Sequence, residues 1–444
     1  MSSPVPKLSN MHGKRLLLGL LLLIFALPPL QAKFHWLPES KLGGAFNMAP
    51  RPDFTWDALV SNDFQPALEK YLEDRIGFRN LLVRLHNQLL FSGLGITRSS
   101  EIVLGKNNVL FMPPYIRAYL GQDRVDPEEM RLGALRLQMM QYDLAQRGIS
   151  FLFVLAPSKA RFEPENLPPH PAPPAQTNYS LFVKEMQADS VHLLDCVALY
   201  ARWKRTAPYP LYPRGGTHWS GYGATLVADS LMRRLEQLGG YQLPSFREVG
   251  KPEIVYNSDS LRSTDNDLNS ALNLLFRRET TPLAYRNIQF DDPRPGQIRP
   301  SLLLVSDSYC WGLMGFSPYL QREFASDSRI WFYNKTEYNP TIGEVPIGPV
   351  SNLNFKQQIE SRRTIVMMMT EFNLTGREFW FTEQVYQLYH PLTDADQAAI
   401  NQLAATIQAT ANAEGQSISL EQAHDKAQQR YEGQQMKKLL ASDR

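Results

Sequence analysis

Two short stretches of the chain carry side chains whose types and settings suit nucleophilic chemistry. The first is Ser306-Asp307-Ser308-Tyr309, which directly follows the apolar run SLLLV at residues 301–305. A serine at a tight strand-to-helix turn exposes its hydroxyl, and the backbone N–H groups that follow can receive an oxyanion. The same polar residues would equally well cap a helix and do no chemistry. The second stretch is PRGGTHWSGYGA at residues 213–224, a glycine-rich loop that feeds a helix and carries His218. A serine hydroxyl needs such a base to become a nucleophile. A loop histidine beside Trp219 can also be a packing residue.

These two positions depend on the elements around them. Residues 64–91 show the apolar spacing of an amphipathic helix, with Leu68, Leu72, Ile76, Leu82, Leu85 and Leu89 on its face. Gly105-Lys106-Asn107-Asn108 separates two short apolar runs and predicts a hairpin. A helix over 127–147 follows. Strands and helices then alternate: the apolar runs 150–156, 301–305, 330–333 and 364–369, another within 191–199, and a helix over 220–238 that stops at Gly239-Gly240. This order predicts an α/β fold with a parallel sheet covered by helices on both faces. In such sheets ligands gather at the carboxyl ends of the strands, where Ser308 falls. Residues 241–298 read as an irregular polar insertion. From Asp394 the chain is rich in Ala and Gln, so 391–444 reads as a helical or disordered tail.

Bulk properties narrow the function classes. A hydrophobic content of 43% with 20% charged residues describes a globular chain able to bury a core. A net charge of +2 supplies no concentrated basic surface for nucleic acid. Lys14 and Arg15 precede the apolar run 16–27, which Pro28 and Pro29 follow, so the N-terminus is an export signal. Extended to Leu37 the segment is long enough for an inner-membrane anchor; cleavage after Ala32 is the alternative. The basic residues on the short side place the body outside the cytoplasm. Cys196 and Cys310 are either a disulfide between strand ends or two buried thiols. No residue spacing calls for a metal or another cofactor.

Taken together, the stretches resemble a known family. Gly216-Thr217-His218-Trp219 and the later Ser306–Tyr309 turn are similar to the SGNH-like domain of the alginate O-acetyltransferase family, AlgX and AlgJ type. YLEDRIGFRN at 71–80, VLGKNNVLF at 103–111 and VMMMTEFNL at 366–374 are similar to further motifs of that family, in the family's order. The resemblance implies an SGNH-like, flavodoxin-like domain over 45–390, behind an anchor and linker at 1–44, with an N-terminal helix and hairpin extension. Its motifs are circularly permuted, because His218 precedes Ser308. It implies Ser308 as nucleophile and His218 as base, and it places Asn334 and Asn373 where oxyanion donors stand. Trp219, Tyr222, Tyr309 and Trp311, close in sequence to those two, are candidate sugar contacts, with core packing as the other reading.

One residue departs from the pattern. The family has an aspartate two positions before its histidine, and this chain has Gly216. Either His218 and Ser308 act as a dyad, or another carboxylate substitutes (Glu371 first, then Asp307 or Asp195), or the site is degenerate and only binds polysaccharide. The activity implied is O-acetylation of an exopolysaccharide in the periplasm, with a membrane O-acyltransferase partner handing over the acetyl group. A secreted esterase or deacetylase would share the same nucleophile and base.

Overall fold

The computed structural model describes residues 10–44, 48–276 and 278–442. The chain divides into two compact units: residues 1–102 with 267–278, and residues 103–266 with 279–444. The boundary expected at 44/45 abuts residues 45–47, which lie outside the described residues, and residues 48–102 fall within the first unit.

In the first unit, α1 (Asn10–Phe34) continues through Pro28 and Pro29, beyond the end of the apolar run. Residues Gly13–Phe34 are long and apolar enough to cross a membrane. Buried Gln31 closes the helix: its Nε2 donates to Leu37 O (2.7 Å), and its Oε1 accepts from the Leu37 N–H (3.2 Å). The helix expected over 64–91 is two helices, α2 (Phe64–Glu73) and α3 (Arg79–Leu94). The break has a steric cause. A Cβ at Gly77 would stand 2.4 Å from Pro28 O and 2.6 Å from Gln31 Cβ, and Phe78 takes the left-handed region, φ 61°. Glu39 then supplies the cap, accepting from the N–H groups of Phe78 (2.6 Å) and Asn80 (3.1 Å).

The second unit opens with the expected hairpin, Val103–Leu104 against Phe111–Leu110. Its centre is a seven-stranded sheet: β1 (Ser150–Ala156), β2 (Leu193–Asp195), β3 (Leu302–Ser306), β4 (Arg329–Phe332), β5 (Thr336–Tyr338), β6 (Pro346–Pro349) and β7 (Thr364–Thr370), in the order β6-β5-β4-β3-β7-β1-β2. Five strands, β4-β3-β7-β1-β2, are parallel. Renumbered from β3, their order is that of a flavodoxin-like sheet with a moved chain start. The antiparallel edge strands β5 and β6 were not foreseen. Prolines and a glycine in β6 give no strand pattern, and only an edge tolerates them.

Alternation within the apolar runs feeds two cores. Leu152, Val154, Leu304 and Val366 face one of them, packed with Ala224, Val227, Leu231 and Leu235. Phe151, Phe153, Leu303 and Ile365 face the other, packed with Met130, Leu137, Phe182 and Met186. The helices that supply these partners are α4 (Pro127–Ala145) and α5 (Asn178–Ala188) on the second side and, beyond α6 (Cys196–Trp203), α7 (Gly221–Gly239) on the first. The polar insertion is less irregular than expected, since it holds two antiparallel pairs, Phe246–Glu248 with Ile288–Phe290 and Glu253–Val255 with Leu283–Tyr285. After α8 (Phe381–Tyr389), the tail forms two helices, α9 (Asp394–Ala413) and α10 (Leu420–Ser442). Met436 of α10 packs among Leu135, Met139 and Tyr386, and Arg377 ties Asp425 (2.6 Å) to Glu129 (3.1 Å). Cys196 and Cys310 are free thiols in the first core, not a disulfide, and burial pushes both thiols far up.

One buried acid gives the fold a pH signature. Glu323 is inaccessible, and neither carboxylate oxygen has a hydrogen-bond partner among the described residues. Burial raises its carboxyl to about 8, opposed only in part by Arg299 and Arg322. The folded state therefore holds this proton more tightly than the unfolded chain, and stability falls as pH rises from about 4.5 towards about 8. Glu323→Gln should melt several degrees higher than the parent above that window and match it below, as thermal melts across pH would show.

Candidate active site

The carboxyl ends of the central strands lie side by side. Ser306 of β3 is in register with Met368 of β7 and with Phe332 of β4, while Thr370 of β7 pairs with Ala156 of β1. The residues immediately beyond, Asp307-Ser308, Tyr333-Asn334, Glu371 and Ser158-Lys159, therefore share one edge of the sheet.

Ser308 opens a short 3₁₀ turn, Ser308–Trp311, capped by Asp307. One Asp307 oxygen accepts from the Tyr309 N–H (3.1 Å). The other accepts from the Thr370 N–H (2.7 Å), the Thr370 hydroxyl and the Asn373 amide (2.7 Å). This inaccessible carboxylate staples the serine turn to the end of the neighbouring strand. His218 Nε2 lies 2.8 Å from Ser308 Oγ, so the structure brings these two residues together. Ser308 is half-buried.

The loop that presents His218 is held from behind. Lys159, almost wholly buried, directs its ammonium at three loop carbonyls: Pro213 (2.5 Å), Arg214 (2.9 Å) and Gly216 (2.9 Å). Tyr309 donates its hydroxyl to Thr217 O (3.2 Å), and its ring lies 4.8 Å from the His218 ring. Tyr212 donates to Pro157 O (2.6 Å). Burial pushes both phenols well above their usual range, so they serve as donors. Lys159, Tyr212 and Ser158 were missed in the sequence, although the same strand-end rule that marked Ser308 applies to Ser158 and Lys159, just past β1.

The other expected site residues stand as follows. Glu371 does not turn to His218: one oxygen accepts from the Ser158 N–H (3.2 Å) and hydroxyl (2.5 Å), and the other pairs with Arg161. Asp195 caps α6 and accepts from the Tyr179 hydroxyl (3.0 Å), and Asp307 is occupied as above. Asn334 directs its amide to Phe379 O (3.1 Å) and Gln384 Oε1 (2.9 Å); Asn373 directs its amide to Asp307 and Thr370. Both amides thus brace the site instead of pointing into it. Trp219, Tyr222 and Tyr309 are buried, which leaves no ring face for a sugar. Trp311 is half-buried, with its ring 5.3 Å from Phe332 and 5.1 Å from Tyr338.

A side chain that sequence reasoning passed over, Tyr333, has its hydroxyl near the Ser308 and Asn373 side chains; burial, with the Asp307 charge adding to it, pushes the phenol up to about 12. Both Tyr333 and Asn334 have left-handed backbones (φ 51° and 54°), strain of the kind that collects at functional sites. The strand end marked Asn334; the turn aims its neighbour inward instead.

The glycine at 216 has a physical explanation. A Cβ there would stand 2.6 Å from both Pro213 Cγ and Thr264 O, and 2.9 Å from Asp265 C. Backbone of the 264–265 segment occupies the space an aspartate side chain would need. That segment brings its own buried carboxylate: Asp265 Oδ2 accepts from the Tyr285 hydroxyl (2.8 Å) and from the N–H of Gly221 (3.4 Å), the first residue of α7.

The lysine staple yields a direct test. Lys159→Met leaves buried loop carbonyls without donors, and urea unfolding should show a loss of ~2–4 kcal/mol. Lys159→Arg should not restore it, because a planar fork cannot reproduce a compact three-donor ammonium.

The chain is similar to several known proteins. A family profile described as "SGNH hydrolase-like domain, acetyltransferase AlgX" matches residues 102–330, a span that includes His218 and Ser308. "Probable alginate O-acetylase AlgJ" of Azotobacter vinelandii is 25% identical over 176 residues, 39% of this chain and 43% of that protein. The alignment thus spans less than half the length of that relative. Among solved structures, the O-acetyltransferase domain of Pseudomonas putida AlgJ has a TM-score of 0.43 at 19% identity, covering 65% of this chain and 98% of that one. Pseudomonas aeruginosa AlgX has 0.38 at 14% identity, covering 62% and 67%. With the profile matched over more than half its length, the chain belongs to the SGNH hydrolase-like acetyltransferase family of the AlgX type.

Proposed function

We propose that this protein transfers acetyl groups to the hydroxyls of an exopolysaccharide outside the cytoplasm. The observation that carries the reading is the 2.8 Å approach of His218 Nε2 to Ser308 Oγ at the open edge of a flavodoxin-like sheet.

In the first half-reaction Ser308 Oγ attacks the carbonyl carbon of an acetyl donor while His218 Nε2 takes the hydroxyl proton. The carbonyl π pair moves onto oxygen, and the Tyr333 hydroxyl donates to that oxyanion. Such a donor contributes about 3–4 kcal/mol, because it meets charge that develops only in the tetrahedral state. Collapse expels the donor's leaving group, which takes the proton from His218, and leaves an acetyl ester on Ser308. In the second half a sugar hydroxyl attacks that ester, gives its proton to His218, and the Ser308 hydroxyl is regenerated.

Glu371 and Asp307 work at one remove. Glu371 anchors Ser158, the neighbour of Lys159, and so supports the His218 loop; Asp307 fixes the nucleophile. Asp265 is a positioning residue, bonded to the first N–H of the helix that follows His218 and packed by its backbone against Gly216. The apolar segment Gly13–Phe34 anchors the chain in the inner membrane with the body in the periplasm. There a membrane O-acyltransferase can deliver the acetyl group. A relative is named for alginate, and we take the acceptor to be a polysaccharide of that general kind.

The test is to incubate the full chain in detergent with an activated acetyl ester and acetyl-free oligosaccharides, and to assign the product by mass spectrometry. Acetylated sugar is expected; acetate alone would make the protein an esterase and overturn the proposal. Ser308→Ala and His218→Ala should abolish transfer while melting within a few degrees of the parent. Tyr333→Phe should lower kcat about 10²–10³-fold, the usual cost of an oxyanion donor, with little change in KM. A carboxylate scan (Glu371→Gln, Asp195→Asn and Asp265→Asn) separates positioning from dyad chemistry. Loss of an orienting carboxylate costs about 10⁴-fold in a serine triad; losses far below that at every position would mark a dyad.

A further inference from the structure

The helix α3 is built inside out for water. Leu81, Leu82, Leu85 and Leu89 are exposed, at 47, 49, 41 and 65% of their full surface. Four of its polar side chains bond other segments of the first unit, while His86 and Ser92 are exposed. Arg84 donates to Leu274 O (3.2 Å) and Lys41 O (2.8 Å), Asn87 donates to Leu272 O (3.0 Å), Asn80 donates to Ser40 O (3.1 Å), and Gln88 accepts from the Phe276 N–H (2.9 Å). A helix bathed in water does the reverse, burying its apolar stripe and hydrating its polar one. A contiguous exposed patch of this kind marks a surface that meets something other than water.

The same unit indicates what it meets. Gly77, two residues before α3, sits against Pro28, Gln31 and Ala32, so close that a side chain there would collide with the α1 backbone. Helix α3 therefore starts beside the last turns of α1, just past the exposed apolar run 16–27. With Gly13–Phe34 crossing the bilayer, that level is the outer leaflet next to the interface. We infer that α3 lies in the periplasmic face of the inner membrane, with Leu82, Leu85 and Leu89 among the acyl chains, as a monotopic interfacial helix beside its own anchor. This rests on the reading of α1 as an anchor. The consequence for that function is a second attachment that fixes the first unit against the bilayer instead of leaving it on a single flexible tether.

The full chain reconstituted in vesicles of phosphatidylethanolamine and phosphatidylglycerol, with no other protein, tests this. Single cysteines replace Leu20, Leu85, Leu89 or exposed Glu421 and carry an environment-sensitive fluorophore. The native Cys196 and Cys310 are buried thiols whose ionisation is suppressed by burial, and they stay unlabelled. Lipids bearing a nitroxide near the headgroup should remove most of the fluorescence at positions 85 and 89, aqueous iodide should quench 421 alone, and deep nitroxides should quench 20. If 20 is quenched by lipid but 85 and 89 answer to iodide as 421 does, the anchor stands and the interfacial helix is wrong. Protection of 85 and 89 only on adding a membrane protein would equally overturn it, assigning the face to a protein partner. If 20 itself answers to iodide, the anchor reading fails and the inference falls with it.

Discussion

The site depends on two adjacent residues at the end of the central strand, Thr370 and Glu371. Thr370, with its N–H and hydroxyl, holds Asp307 and so the turn that presents Ser308. Glu371 holds Ser158, and the next residue, Lys159, grips three carbonyls of the loop that presents His218. Ser308 and His218 are 90 residues apart in the sequence, so a 2.8 Å contact between them needs both supports fixed to the same strand. Buried carboxylates and an ammonium are expensive to desolvate, and each is stable here because its donors or acceptors are matched around it. A polar network of this kind fixes geometry more than it adds stability.

Chain order and spatial order differ in an instructive way. The sheet β4-β3-β7-β1-β2 is that of a flavodoxin-like domain, yet the chain enters it at β1 and reaches the serine strand late. Parallel pairing is indifferent to where the chain begins, provided each crossover returns to the same edge. The permuted order of His218 and Ser308 is thus compatible with the ordinary geometry of a serine and its base, and it leaves 241–298 free to fold as two small antiparallel pairs.

Much of this was legible in the sequence. The buried strands announce themselves as unbroken apolar runs, and the strand-end rule placed Ser308 at the carboxyl edge of the sheet. The glycine-rich loop pointed to His218. The unread part lies where direction, not position, decides. Asn334 and Asn373 occupy the right strand ends but bond away from the serine, while Tyr333, one residue earlier, turns towards it because two consecutive left-handed residues rotate the chain. Glu371 is at the right edge and faces the wrong neighbour for an orienting acid. Trp219, Tyr222 and Tyr309 neighbour His218 or Ser308 in sequence, yet they are core rings. Gly216 registered only as a departure from the family; its cause, the backbone of residues 264–265, is a contact distant in sequence that no local pattern reveals.

The central claim is that Ser308 carries the acetyl group covalently between donor and sugar. The most direct measurement is to mix the protein with an acetyl ester in the absence of sugar, quench in acid, and map the adduct by peptide mass spectrometry. One acetyl group is expected on the peptide that contains Ser308, lost on addition of oligosaccharide with matching gain on the sugar, and absent from Ser308→Ala. An acetyl group on another residue that transfers competently, or sugar acetylation by Ser308→Ala at the parental rate, would contradict it.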